Sequence, residues 1–177
     1  MAKDEIDRIV EQWKQVRPEL DTSPTHVLQR ITRLALLQET SFAEVMARYD
    51  LAWGDYLVLA ALRRAGAPYA MNPTSLYASV ILSSGGMTKR LDRLEKAGFV
   101  ERRPDPADRR GRLVALTARG RDVVNRAVVD HIANQERLLG ALSATERRTL
   151  SGLLRKLLVS EPFAALDPVK TDVRGDG

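Results

Sequence analysis

Phe99-Val100-Glu101-Arg102-Arg103-Pro104-Asp105-Pro106-Ala107-Asp108-Arg109-Arg110-Gly111-Arg112-Leu113-Val114-Ala115-Leu116 is the stretch on which the fold turns. Its ends, 99–103 and 112–116, are short β-like runs, and Pro104, Pro106 and Gly111 break regular structure between them. The pattern predicts a hairpin with a long tip. That tip is basic, crowded by Arg109, Arg110 and Arg112. Three arginines at a loop end repel one another and add nothing to a core, but they suit a phosphate backbone or a narrow minor groove. Asp108, lying beside them, can hold one arginine by a charge-assisted contact.

Upstream of the hairpin the period becomes helical. Ser83-Ser84 reads as a cap, opening a helix to about Ala97 that Gly98 closes. Stepped at about 100° per residue, Met87, Leu91 and Leu94 form an apolar stripe, while Thr88, Lys89, Asp92, Arg93 and Lys96 project from the other side. Before it, Asn72-Pro73 couples a capping residue to a proline and opens a short helix to about Ser79, with Thr74 and Ser75 in its first turn. A supporting helix, a tight connection and a second helix with small polar and basic residues near its start make a helix-turn-helix. Ser83, Ser84, Gly85 and Gly86 would let the backbone approach a duplex closely, and free N–H groups at a helix start favour a phosphate. Thr88, Lys89 and Arg93 are placed to reach base edges or phosphates in the major groove. Taken alone, this helix is more simply an amphipathic helix with a solvated face. The basic hairpin beside it changes the balance, because a helix-turn-helix followed by such a hairpin is a winged helix.

Outside this centre the chain is helical. Ile6, Ile9, Val10 and Trp13 recur at helical spacing within 3–16, and Pro18 ends that helix. Ser23-Pro24 opens a helix to about Arg48, and another spans about 52–65, closed by Gly66. After the hairpin Thr117 caps a long helix bearing Val124, Val128, Ile132, Gln135, Leu138 and Leu142. Ser143-Ala144-Thr145-Glu146 is a capping box, and the helix it opens carries Leu150, Leu153, Leu154, Leu157 and Leu158. The expected architecture is mostly α with a small β wing. Helices over 1–50 precede a winged helix-turn-helix DNA-binding domain over 51–117; helices over 118–160 and a flexible tail over 161–177 follow. The terminal helices are more apolar than so small a domain needs to cover itself. They predict a homodimer built on both helical layers, with plain intramolecular packing as the alternative.

Composition narrows the function. The 177 residues contain no cysteine, which excludes disulfides and thiolate metal sites, and the two histidines, His26 and His131, have no zinc spacing. No apolar run approaches a membrane span, and the charged N-terminus does not read as a signal peptide. A cytoplasmic protein without membrane association is expected. Glycine-rich phosphate loops, metal-ligand sets and nucleophile–base pairs are missing from the pattern, so neither a catalytic residue, a metal site nor a cofactor is expected. The net charge of +5 is unevenly spread. Between Ser83 and Arg121 eleven basic residues face five acidic ones, whereas the rest of the chain has 17 basic and 18 acidic. A local excess of this kind marks a polyanion-binding surface or a solvated one. A helical protein-interaction module would explain the apolar stripes but not the arginines at the hairpin tip.

The stretch from Asp105 to Gly120 resembles the wing signature of the MarR family, D-x-R-x-x-x-V-x-L-T-x-x-G, at Asp108, Arg110, Val114, Leu116, Thr117 and Gly120. Residues 84–98 resemble the family's recognition helix, and the resemblance runs in order from about 25 to 160. It implies a two-fold dimer with interlocked terminal helices, each wing in a minor groove beside its recognition helix. Such a dimer binds a pseudo-palindromic operator in double-stranded DNA and represses until a small ligand releases it. The added N-terminal helix resembles the urate-responsive branch. There a Trp on that helix and two Arg, in the recognition helix and at the wing's start, form the ligand site, and Trp13, Arg90 and Arg102 fall at those places. The branch's Asp falls on Leu57, while Asp55, two residues away, is expected to face elsewhere. Arg90 lies at the margin of the buried stripe and needs a partner. That partner is either an anionic or aromatic effector stacked on Trp13, or a local acid, with Trp13 a packing residue.

Overall fold

The computed structural model describes residues 3–80, 86–108 and 110–166. In chain order the elements are α1 (Glu5–Val16), α2 (Ser23–Ala47), α3 (Trp53–Arg64), β1 (Ala70–Met71), α4 (Pro73–Ser79) and α5 (Met87–Lys96). They continue with β2 (Val100–Pro104), β3 (Arg112–Leu116), α6 (Ala118–Leu138), α7 (Ala144–Leu158) and α8 (Glu161–Ala164). The expected helices and hairpin are all present, so the mostly α fold with a small β wing holds. The three-stranded antiparallel sheet has the order β1-β3-β2. β1 is new: a two-residue strand has no period to read, and pairing of Ala70 with Ala115 and Met71 with Val114 defines it.

The caps explain where the helices stop and start. Asp4 and Asp7 form a capping box at α1, Asn72 accepts the Ser75 N–H at α4, and Ser143 with Glu146 caps α7. α2 begins one residue earlier than the Ser23-Pro24 signal implies, with Thr22 at the cap. There Asp21 accepts the Ser23 N–H, so Ser23 joins the helix instead of capping it.

α3 is the central post. Gly54, Asp55, Tyr56, Val58, Leu59, Ala60, Ala61 and Leu62 are all buried, so helices and the sheet pack on several of its sides. Leu76 of α4, Met87, Leu91 and Leu94 of α5, Val114 and Leu116 of β3, and Val124 of α6 join the same core. The terminal layer is different. α7 has no buried residue although its leucines form a stripe. Val27, Leu28, Leu34 and Leu37 of α2, Val129 and Ile132 of α6, and Leu153 and Leu158 of α7 are exposed. Among the described residues, no helix is long and apolar enough to cross a membrane.

Candidate nucleic-acid interface

α5 presents the face that its period implies. Met87, Leu91 and Leu94 are buried, while Thr88, Lys89, Asp92, Arg93 and Lys96 lie on its accessible side. The helix starts at Met87 from a left-handed Gly86, later than a cap at Ser83-Ser84 would place it. Ser83, Ser84 and Gly85 lie outside the described residues, as does Arg109. Thr74 and Ser75 are in the first turn of α4 and accessible.

The hairpin is pinned at base and tip. Thr117 donates its hydroxyl to the Gly98 carbonyl at 2.7 Å and accepts the Gly120 N–H at 3.0 Å, joining the start of α6 to the end of α5. At the tip the Asp105 carboxylate accepts the Ala107 N–H and the Asp108 carboxylate accepts the Arg110 N–H, each at 2.9 Å. Asp108 thus shapes the turn through the Arg110 backbone; Arg109, one of the arginines it is expected to hold, lies outside the described residues. An aspartate side chain commonly bonds the backbone two residues on, closing such a turn. Arg110 and Arg112 are exposed beside these turns.

Arg102, at the wing's start, turns towards α5. It donates to Asp92 at 2.5 Å and to the Glu95 carboxylate, and Glu95 also accepts its backbone N–H at 3.2 Å. The hydrogen bond to Asp92, above all, raises the Arg102 pKa. This clasp fastens β2 to the helix-turn-helix, so the basic tip and the exposed face of α5 are held in one frame.

The acid beside the arginines is Asp55, and the expectation that it faces elsewhere is corrected. Its side chain is only 5% exposed, and Arg90 Nε stands 3.3 Å from Oδ1. Arg93 binds the same carboxylate with Nε at 3.0 Å and Nη2 at 2.6 Å. Gly54 makes the approach possible: a Cβ there would lie 2.5 Å from Arg90 Nη2 and 2.7 Å from Cζ. The crossing of α3 and α5 decides this, and a wheel drawn for α3 alone does not contain it. Leu57, two residues on, is half-buried against the core. The local-acid alternative for Arg90 is therefore realised, yet incompletely, because Arg90 Nε and Nη1 are buried without a hydrogen-bond acceptor among the described residues.

Within one chain Trp13 stands apart from this cluster. It lies on α1, which packs on α2, and it is 49% exposed. Sequence reasoning also missed an aromatic cluster where α2, α3 and α6 meet. His131 packs against Phe42, Trp53 and Tyr56 with ring centroids 4.5, 5.2 and 5.2 Å away. Its only sequence signal is the spacing of Trp53 and Tyr56 on one side of α3. Among the described residues no group of three or more potential metal ligands gathers.

The comparisons with known proteins agree with this architecture. The MarR family model matches residues 51–111, from the start of α3 to the wing tip. The transcriptional regulator PecS of Dickeya dadantii is 37% identical over 153 residues, spanning 86% of this chain and 92% of PecS. A mutant form of Escherichia coli MarR, solved with operator DNA, superposes with a TM-score of 0.67 at 27% identity, over 82% of this chain and 97% of that one. Bordetella bronchiseptica BpsR, whose structure concerns regulation of DNA binding by 6-hydroxynicotinic acid, also superposes with a TM-score of 0.67, at 26% identity over 76% of this chain and 94% of BpsR. With nearly the whole of PecS matched and the helix-turn-helix and wing found by the family model, this chain belongs to the MarR family of winged-helix transcriptional regulators.

Proposed function

We propose that the protein is a homodimeric repressor that binds a pseudo-palindromic operator through α5 and the wing, and leaves it when a small anionic or aromatic effector binds. The clasp of Arg102 on Asp92 and Glu95 carries the reading, because it holds the basic tip at a fixed offset from the exposed face of α5. A helix in a major groove and a hairpin on the neighbouring minor groove need such an offset. Arg110 and Arg112 then meet phosphates or the minor groove, while Thr88 and Lys89 face the major groove, with Thr74 and Ser75 of α4 alongside. The relative solved with operator DNA supports the same use of this fold. Such a protein works where the chromosome is, in the cytoplasm, and performs no catalysis.

The second copy covers the terminal layer. A 15-residue amphipathic helix with no buried residue, α7, gains nothing from its leucines unless another surface meets them. The exposed apolar side chains of α2, α6 and α7 supply that surface from 1–50 and 118–160, leaving 51–117 free for DNA. The effector site lies at Arg90, whose buried Nε and Nη1 lack hydrogen-bond acceptors among the described residues. Asp55 supplies the acid that Leu57 cannot, and an anion would compete with it. Trp13 and Arg102 join this site only if assembly or binding brings α1 and the wing to it. BpsR's regulation by 6-hydroxynicotinic acid supports an aromatic anion as the class.

The test is binding of the full chain to a labelled duplex from upstream of its own gene, at fixed salt, with urate or 6-hydroxynicotinate added. Saturable binding that survives competitor DNA, and that either anion weakens, is the expected result. Binding indifferent to both anions would refute the effector class. Failure to bind any duplex in preference to competitor would refute the regulator reading.

A further inference from the structure

Arg93 is exposed over 55% of its side chain, yet its guanidinium is anchored. Nε donates to Asp55 Oδ2 at 3.0 Å and Nη2 to Oδ1 at 2.6 Å, so the carboxylate grips one edge of the planar group. A guanidinium has five N–H donors in a rigid fork. Two are spent on Asp55, which leaves both Nη1 hydrogens and one on Nη2. These form a second edge carrying two parallel donors, the pattern that matches O6 and N7 of guanine in the major groove. The anchor is firm, since Asp55 is buried in the first turn of α3, the helix at the centre of the core. A long flexible side chain ordinarily loses rotamer freedom when it reads a base. Here that ordering is already present without DNA.

We propose that Arg93 is a base-reading residue selecting guanine, and that Asp55 is its positioning residue, fixing the Nε–Nη2 edge so that the Nη1–Nη2 edge faces the groove. This rests on the reading of α5 as the recognition helix. Lys89 and Thr88 have no comparable anchor among the described hydrogen bonds, so their contribution to sequence choice is smaller. The arrangement also links the effector site to base reading, because Arg90 shares Oδ1 of the same carboxylate.

The experiment selects duplexes from a random pool with the full wild-type chain, then measures competition by duplexes carrying each base substitution in turn. Wild type is expected to demand guanine at one position of each half-site. Arg93→Ala should lower that preference about tenfold or more while leaving the other positions intact. Arg93→Lys keeps the charge but not the fork, so it should lose the same preference yet retain the salt dependence of binding. Asp55→Asn should weaken the preference at that position, and adding it to Arg93→Ala should have no further effect there. Should Asp55→Asn fail to fold, the two Arg93 variants decide alone. Unchanged guanine preference in Arg93→Ala, or in Arg93→Lys, overturns the proposal. So does a uniform loss across all sequences in a folded Asp55→Asn. If wild type selects no sequence at all, the reading of α5 falls and this inference with it.

Discussion

The carbonyl group of Phe99 occupies the space where a side chain on Gly120 would begin, with its carbon 2.8 Å from the position of that Cβ and its oxygen closer still. Thr117 reinforces the contact by accepting the Gly120 N–H and donating to Gly98. The T-x-x-G at the end of the wing signature is thus a weld between the wing's base and α6. Gly120→Ala must push backbone against backbone. Its cost should reach or exceed the roughly 1–3 kcal/mol of ordinary overpacking, seen as a lower denaturant midpoint. A midpoint equal to wild type would show that the weld yields freely.

Gly54→Ala tests the approach of Arg90 to Asp55. The new methyl would meet the end of a flexible side chain, and alanine is the better helix former by about 1 kcal/mol, so the fold should survive. A crystal structure of the variant should show the guanidinium displaced from Asp55. An unmoved guanidinium with α3 shifted instead would mean that the arginine, not the helix, is the fixed partner.

Burial among Phe42, Trp53 and Tyr56 pushes the His131 pKa below its ordinary value. The unfolded chain takes up this proton near pH ~6.5, the folded chain only at lower pH. Between those values the unfolded state binds more protons, so stability falls as pH drops through ~6.5 and levels off below the folded value. His131→Phe keeps a ring in the cluster and should shrink this acid-dependent loss, measured as unfolding midpoints across the same range. An identical pH profile in the variant would assign the loss to other groups.

Arg30 fastens α1 to α2. It donates to Asp4 at 2.8 and 3.0 Å, to Asp7 at 2.7 Å and to the His26 carbonyl at 2.9 Å. Its hydrogen bonds chiefly hold the Asp4 pKa below the usual carboxylate value; for Asp7 the Asp4 backbone N–H contributes most, with Arg30 next. Depressed carboxylate values stabilise the docked helix above the unfolded pKa and lose that effect as pH falls through the folded one. Arg30→Ala should speed amide exchange across 5–16 at neutral pH and leave α3 unaffected. Equal exchange in the two proteins would place the docking in Ile6 and Val10 alone.

Local signals make most of the fold legible in the sequence. Asn72-Pro73, Thr117, Ser143-x-x-Glu146 and the period of α5 each act over a few residues, and each appears at its expected place. What stays hidden depends on elements meeting. β1 exists only through its pairing with β3. Asp55 reaches Arg90 and Arg93 only where α3 packs on α5, and Gly54 leaves the space that Arg90 fills. The arginines around Asp108 suggest an ion pair and hide the turn that its carboxylate closes on the Arg110 backbone.

The salt dependence of DNA binding tests the central claim most directly. Counterion release makes log K fall linearly with log salt, by about 0.9 for each phosphate neutralised. Wild type, bound to a duplex it selects, should show a steep slope. The Arg110→Ala, Arg112→Ala double variant should show a slope shallower by about 0.9 for each phosphate it no longer neutralises. Wild-type binding insensitive to salt, or a double variant with the wild-type slope, would contradict the account of the wing as a DNA-binding element.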